Sequence, residues 1–214
     1  MGGPAAVERG PRGKNRNMNT TPNDPVTPGD ERHTVATYVS DMLALERHII
    51  APIESQDNSE DHQSDPEARR IIRKIRSVGT SHIGALETQL AAIGGLPEHG
   101  VKAAWSQLLG GGAAALNNVR KTKISKSLRD DYTALSLAAI SYTMLHATAA
   151  GLGDGSTAAL AKRHLEDITP IIIDLSRTIP GVVLRELRDD GENVAPQAEQ
   201  ETERVLHESW GSTH

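Results

Sequence analysis

Apolar residues recur every three or four positions in four long segments of this chain, which is the spacing of one face of an α-helix. The first helix is predicted over residues 31–53, and its apolar stripe consists of Val35, Val39, Met42, Ile49 and Ile53. The second helix begins with Asp65 as N-cap and Pro66 in its first turn, a typical start signal. It ends at Gly94 and Gly95, and its stripe consists of Ile71, Ile72, Ile75, Val78, Leu86, Leu90 and Ile93.

The second half of the chain predicts two more helices. The third helix begins near Ser127 and ends near Gly151, and the residues expected on its inner face are Ala134, Leu137, Ala138, Leu145 and Thr148. The fourth follows residues 154–156, and its stripe consists of Ala161, Leu165, Ile168, Ile172, Leu175 and Ile179. Pro170 is expected to kink it, because the proline ring collides with the carbonyl four residues earlier. A short last helix over residues 182–187 is expected after Pro180 and Gly181.

The unequal connections predict the topology and the domain organisation. Residues 54–64 form an acidic loop and 152–155 a tight turn, whereas residues 94–126 form a long crossover with two short helical pieces, 101–109 and 113–119. The result is an all-α, antiparallel four-helix bundle over residues 30–190, with one crossover between helices 2 and 3. Residues 1–29 and 191–214 are polar and are expected to be mostly disordered, with a short helix around residues 201–208.

Composition excludes several function classes. A net charge of -5 and an aromatic content of 2% argue against nucleic-acid binding. The chain has no cysteine, so disulfides, thiolate metal sites and thiol nucleophiles are excluded. It has no apolar run of the roughly 20 residues that span a bilayer, and no apolar segment typical of a signal peptide near its start. We therefore expect a cytoplasmic protein that binds neither membrane nor nucleic acid.

Two polar residues fall in the middle of apolar stripes, and they are the candidate site. Glu46 lies between Met42 and Ile49 on helix 1, and His82 lies on the stripe of helix 2. A carboxylate that faces a core must be paired, protonated or bound to metal. Glu46 and His82 are therefore either a buried hydrogen-bonded pair or ligands of iron or manganese, unless their register places them outward.

The rest of a two-metal ligand set is missing from the sequence. Such a site takes one carboxylate from each of two helices and a Glu-x-x-His from each of the other two. Gly79 occupies the position where the second helix needs its glutamate, and Glu166 is expected to point away from the core. His146 and His164 lie at stripe edges, where a partly buried spacer is expected more often than a ligand.

The chain resembles the ferritin-like superfamily, and within it the YciE/YciF type of bacterial stress-associated proteins, over about residues 35–178. The resemblance rests on SHIGALETQLAAIGG in helix 2, on the long crossover, and on SLRDDYTALSLAAISYTMLHATAAGLGDGSTAALAKRHLED. Glu46 matches the carboxylate of helix 1, and His82, Leu86 and Glu87 match helix 2. Residues 141–144 read Ser-Tyr-Thr-Met where the family has Glu-His-Tyr-Glu, so the metal site is degenerate.

The resemblance implies a ferritin-like, stress-associated bacterial protein that acts through binding or self-assembly. The missing ligands favour a protein without enzymatic activity and without a cofactor. A homodimer is expected, because related bundles pair through helix faces, and the tails could recruit a protein partner. The alternative is an iron- or manganese-binding protein or oxidase that uses Glu46 and His82, with ligands borrowed from His146 or His164.

Overall fold

A computed structural model of the chain describes residues 30–60, 64–95 and 123–211. It contains five long helices, which we number in chain order: α1 (Glu31–Asp57), α2 (Pro66–Ala92), α3 (Ile124–Gly151), α4 (Gly155–Asp189) and α5 (Ala198–Gly211). The described ranges contain no β-strand, so the prediction of an all-α protein is confirmed. The predicted tail over residues 1–29 and the two short helices of the crossover lie outside the described residues.

Aspartate side chains cap three of the helices. Asp30 accepts a hydrogen bond from the backbone of Arg32, and Asp65 accepts two at the start of α2, as its position before Pro66 predicts. Asp154 accepts from the backbone of Thr157 at the start of α4. Each such cap stabilises its helix by about 1 kcal/mol, because it pairs an N–H that the helix itself leaves free.

Helix α4 is longer than the sequence predicts. It continues through both Pro170 and Pro180 to Asp189, so the expected break before a separate short helix is wrong. Each proline removes one helical hydrogen bond. Leu175 and Val182 are nevertheless buried against the other helices, and this packing holds the backbone in helical conformation past the second proline.

The first two helices run antiparallel, and so do the third and fourth. Arg32, near the start of α1, donates to the carbonyl of Ile93 at the end of α2, and Asp57 at the end of α1 pairs with Arg76 in α2. Ser125, at the start of α3, donates to Glu186 near the end of α4. The turn between α3 and α4 contains Gly153 at φ 78, a conformation that favours glycine.

The two helix pairs pack on each other, also antiparallel. Gln56 and Asp131 join the end of α1 to the start of α3, and Arg185 and Asp65 join the end of α4 to the start of α2. Helices α2 and α3 are therefore both antiparallel to α1 and run parallel to each other. Because α3 is 28 residues long, the end of α2 and the start of α3 lie at opposite ends of the bundle, about 40 Å apart.

One apolar core fills the space between these four helices, and the register of α3 differs from the prediction. Ala138 and Leu145 are buried as expected, but Leu137 is 52% exposed and Tyr142 is fully buried instead. The inner face of α3 also includes Leu128, Leu135 and Ala149. Apolar residues occupy two faces of this helix, so spacing alone cannot decide which face is inner.

Helix α5 packs on α4. The short helix expected around residues 201–208 lies within it, and the structure extends it to Ala198–Gly211. Its first turn contains two acidic residues, Glu199 and Glu201, and their negative charges interact favourably with the positive end of the helix dipole. Arg204 and Glu208 add an ion pair one turn apart. Among the described helices, none has the length and apolar character needed to cross a membrane.

A glycine allows α1 and α2 to approach each other closely. Gly79 is buried in the middle of α2, and a Cβ atom added to it would lie 2.3 Å from Cδ1 of Ile50 on α1. Gly84, one and a half turns later on the same helix, is exposed and would meet nothing within 4 Å. The first glycine is thus required by packing, and the second is not.

We expect Gly79→Ala to destabilise the protein by about 1–3 kcal/mol, because the new methyl group overpacks the contact with Ile50. The matched control Gly84→Ala should stabilise it by about 0.5–1 kcal/mol, since alanine has the higher helix propensity and no neighbour to displace. Chemical denaturation of both variants measures the difference. Equal stabilisation by the two substitutions would show that α1 and α2 are not in close contact at Gly79.

Candidate functional site

The two residues selected from the sequence lie together in the middle of the core. Nδ1 of His82 lies 3.0 Å from Oε1 of Glu46, and both side chains are buried. Their helices bring them together because α1 and α2 are antiparallel and each residue lies on the apolar stripe of its own helix. A salt bridge links the same two helices at the surface one turn away, between Arg47 and Glu87.

A tyrosine from α3 donates a second hydrogen bond to the carboxylate. The hydroxyl of Tyr142 donates to the same Oε1 of Glu46 over 2.6 Å. Burial, followed by the nearby charge of Glu46, raises the pKa of Tyr142 far above its ordinary value. Tyr142 therefore keeps its proton and acts as a hydrogen-bond donor within the core.

A second histidine extends this chain of hydrogen bonds to α4. Nδ1 of His164 lies 3.0 Å from the hydroxyl oxygen of Tyr142. Burial, together with the neighbouring His82, lowers the pKa of His164 to about 3, so the ring is neutral at ordinary pH. Since the proton of Tyr142 is donated to Glu46, the tyrosine oxygen accepts from Nδ1–H of His164.

The two histidine rings lie face to face, and an aspartate lies at the edge of the cluster. The ring centroids of His82 and His164 are 3.8 Å apart and their planes differ by 9°. Oδ2 of Asp167 lies 3.3 Å from Nε2 of His82, although the side chain of Asp167 is 57% exposed. A carboxylate oxygen thus faces each ring nitrogen of His82, one in the core and one at the surface.

Sequence reasoning placed Glu46 and His82 correctly on inner faces but missed the rest of this polar cluster. His164 was expected to be a spacer at a stripe edge, and the structure instead buries it among the other members. It lies four residues before the buried Ile168, a spacing that could have revealed it. Tyr142 also shows helical spacing with neighbours that are buried, namely Ala138, Leu145 and Ala149.

Two other candidates lie away from the cluster. His146 is exposed on α3, so the structure does not bring it to Glu46. Glu166 is exposed as the sequence predicts, and it pairs with Lys162 one turn earlier on α4. Of the two histidines considered as borrowed ligands, only His164 therefore joins the cluster.

These residues do not fit a two-metal centre. Oε1 of Glu46 already accepts two hydrogen bonds, and both nitrogens of His82 face protein carboxylates. Iron and manganese sites of this fold require a nearly complete set of carboxylate and imidazole ligands. Within the described ranges, no group of three or more histidine, aspartate or glutamate side chains is arranged to hold a metal ion.

The space beside the cluster is small. A cavity of about 10 Å³ lies next to Glu46, Gly79 and His82, and its remaining walls are apolar. This volume admits at most one water molecule. The cavity therefore offers no room for an organic substrate.

A second polar pair, in which Asp131 is buried and Gln56 is partly buried, lies about three helical turns from the cluster. Gln56 of α1 donates to Oδ1 of Asp131 on α3 over 2.9 Å, while Oδ2 of Asp131 and Oε1 of Gln56 are both buried without a hydrogen-bond partner. Burial raises the pKa of Asp131 to about 7, and the neighbouring Asp130 contributes to this shift. With a proton on Oδ2, Asp131 would donate a hydrogen bond from this oxygen to Oε1 of Gln56.

Comparison with solved structures gives one similar fold. The chain aligns with the crystal structure of protein XCC3681 from Xanthomonas campestris pv. campestris str. ATCC 33913, with a TM-score of 0.61. The alignment covers 76% of this chain and 99% of that protein, at 16% sequence identity. At this identity the likeness concerns the fold alone. No protein-family model matches the chain, and a search of curated proteins finds no match.

The pairing of Glu46 and His82 can be tested with single and double substitutions. His82→Leu should destabilise the protein by about 3–5 kcal/mol, because it leaves the buried carboxylate with one partner fewer. The double variant Glu46→Leu/His82→Leu should be less destabilised than His82→Leu alone, since no charge is then left in the core. Glu46→Gln should cost only about 1 kcal/mol, because the amide oxygen still accepts both hydrogen bonds.

Unfolding by denaturant at neutral pH measures these differences in free energy. His146→Leu serves as the control, because it removes an exposed histidine from the same bundle and should change stability by less than about 0.5 kcal/mol. If the effects of Glu46→Leu and His82→Leu simply add, the two side chains do not form a coupled pair.

Asp131 should make stability depend on pH. Its folded pKa of about 7 exceeds an unfolded value of about 3.9, so the native state binds more protons between these limits. The contribution of Asp131 to the free energy of unfolding is therefore fully present below about pH 4. It is lost as the pH rises to about 7, and the loss amounts to a few kcal/mol in total. Asp131→Asn should remove this fall, because the amide is neutral and can donate to Gln56.

The measurement is the free energy of unfolding of both proteins from pH 4 to pH 8. Neutral His164 contributes an opposite slope, since it binds its proton mainly in the unfolded state below about pH 6.5. That slope is common to both proteins and cancels in their difference. Parallel profiles for the wild type and Asp131→Asn would contradict the assignment.

Proposed function

We propose that this protein is a ferritin-like four-helix bundle without enzymatic activity, whose central polar cluster is structural and which acts through binding or self-assembly. The directions of the helices support the fold assignment. Helices α2 and α3 are parallel, so the chain must cross the length of the bundle between them, and one such crossover is typical of ferritin-like bundles. The stress association and the bacterial setting rest on the family resemblance alone.

The observation that carries the proposal is the use of the inward-facing polar atoms by the protein itself. Oε1 of Glu46 on α1 accepts a hydrogen bond from Tyr142 on α3 and is also hydrogen-bonded to His82 on α2. His164 then links Tyr142 to α4. The cluster thus joins all four helices of the bundle at one level, with hydrogen bonds where a metal centre would have coordination bonds.

Gly79 supports the same interpretation. It lies three residues before His82, where Glu-x-x-His has its carboxylate. Any side chain at this position would collide with Ile50, because even a Cβ atom would come within 2.3 Å of it. In this protein the side chain of Ile50 on α1 occupies the space that such a ligand needs.

A structural role for the cluster follows from the composition of the core. Most core side chains are aliphatic and can exchange neighbours after a shift along the helix axis, whereas a buried polar group is satisfied only by its own partner. Glu46, His82, Tyr142 and His164 therefore define one register of the four helices. The surface is then the part of the molecule that is available for function.

A metal titration tests the proposal. Protein stripped with chelator should show less than about 1 °C change in melting temperature on addition of stoichiometric Fe²⁺ (under anaerobic conditions), Mn²⁺ or Zn²⁺. A metal that binds only the native state would raise the melting temperature by mass action. The matched controls are Glu46→Gln, in the cluster, and Glu166→Gln, an exposed carboxylate on α4.

Stabilisation by metal that is lost in Glu46→Gln and kept in Glu166→Gln would overturn the proposal. It would favour the alternative of an iron- or manganese-binding protein or oxidase that uses Glu46 and His82. Stabilisation that both variants retain would point to binding elsewhere on the protein and leave the structural role of the cluster intact.

A further inference from the structure

The outer face of α3 is apolar although it is exposed. Leu137, Ile140 and Met144 are 52%, 55% and 51% exposed, and they are the three most exposed large apolar side chains of the described residues. Thr133, Ala147 and Gly151 are also exposed and continue the same line. We call these six residues the α3 seam: Thr133, Leu137, Ile140, Met144, Ala147 and Gly151.

The spacing of the α3 seam is typical of a contact between helices. Successive members are four, three, four, three and four residues apart. This alternation has an average period close to 3.5, which is that of the a and d positions in a coiled coil. The spacing places all six residues on one face of α3, so a second helix that packs along this face would contact each of them.

The absence of charge distinguishes this face from the other exposed helix faces. Residues 132–153 contain no aspartate, glutamate, lysine or arginine. By contrast, the exposed face of α2 carries Arg70, Arg73, Lys74 and Arg76, and that of α4 carries Lys162, Arg163 and Glu166. Exposed apolar residues are ordinary when scattered, but a continuous uncharged stripe marks an interaction surface.

We infer that the α3 seam binds the α3 seam of a second copy of this chain, with the two helices antiparallel about a two-fold axis between Ile140 and Met144. The inference rests on the proposed function, since it names the surface and partner of self-assembly. In this arrangement Ile140 faces Met144, Leu137 faces Ala147, and Thr133 faces Gly151 of the other copy. Large side chains meet small ones away from the axis, so the seam is complementary to itself.

The charges at the two ends of the α3 seam do not oppose a second copy. Arg129 and Asp130 form an ion pair with each other, and in the antiparallel arrangement this pair lies at the level of Asp154 and Gly155 of the other copy. Asp130 then lies at the level of Asp154, but Arg129 lies beside both aspartates and close to the C-terminal end of α3, where the helix dipole is negative. A parallel arrangement would instead place Arg129 against Arg129.

The size of the α3 seam sets the expected strength of the dimer. From Thr133 to Gly151 it extends about 27 Å along the helix. A single helix pair of this length buries less than the roughly 1,600 Å² of a standard protein interface. We therefore expect a dimer that dissociates on dilution in the micromolar range.

Sedimentation velocity of the full chain over a range of concentrations tests the interface. The wild type should shift from monomer to dimer as its concentration rises from about 1 to about 500 μM, a range that corresponds to modest binding free energies. Ile140→Arg should remain monomeric at every concentration, because it places a charge at the centre of the α3 seam. Val205→Arg, a matched change at an equally exposed valine on α5 (50%), should dimerise like the wild type.

Cysteine cross-linking tests the direction of the helices, and the chain is suited to it because it contains no cysteine. Leu137→Cys/Ala147→Cys should form two intermolecular disulfides under mild oxidation, whereas Leu137→Cys and Ala147→Cys alone should cross-link at least tenfold less. Efficient cross-linking of Leu137→Cys alone would indicate parallel helices and overturn the arrangement.

A wild type that stays monomeric at all concentrations would overturn the inference. It would also fail if Ile140→Arg lowered the melting temperature by several degrees without changing the association, because residues 96–122 of the same chain would then cover the α3 seam. Metal-dependent stabilisation that Glu46→Gln abolishes would overturn the structural role of the cluster, but it would leave this dimer unaffected. The two proposals can therefore fail separately.

Discussion

A carboxylate in an aliphatic core is the constraint on which the centre of this bundle depends. Glu46 is buried on α1, and an unpaired charge there would cost several kcal/mol. Tyr142 and His82 satisfy it from α3 and α2, and His164 supports Tyr142 from α4. None of these helices can slide by one turn without leaving the carboxylate or one of its donors unpaired. The cluster thus fixes one register of the four helices around an otherwise aliphatic core.

The same constraint accounts for the close packing around Gly79. Oε2 of Glu46 lies 3.4 Å from the position that a Cβ atom of residue 79 would occupy, and Ile50 fills the space beside it. Helix α1 can approach α2 this closely only because residue 79 has no side chain. A glutamate at this position, as Glu-x-x-His requires, would displace the side chain of Ile50 and lie against Oε2 of Glu46. The hydrogen-bonded cluster and a complete metal centre are therefore alternative ways to fill the same space.

Hydrophobic spacing and capping were enough to predict the four helices, the N-cap at Asp65 and the inward positions of Glu46 and His82. These are local properties, or properties of a single stripe on a strongly amphipathic helix. The end of α4 was not predictable in this way, because Pro180 is a local stop signal that tertiary packing of Val182 overrides. His164 and Tyr142 were missed because a polar side chain near a stripe edge is buried only when a specific partner lies on another helix. That partner is visible only once the helices are assembled.

The error on α3 has a cause of its own. Residues 134–140 read ALSLAAI, and they offer Leu135 and Ala138 to one side and Leu137 and Ile140 to the other. A helix with one buried face shows a single stripe, and its register can be read from spacing. A helix that packs inward on α1 and α4 and outward on a second molecule must carry two stripes. The ambiguity that misplaced Leu137 is thus the pattern expected of a helix with two interfaces, and the outer one is the α3 seam.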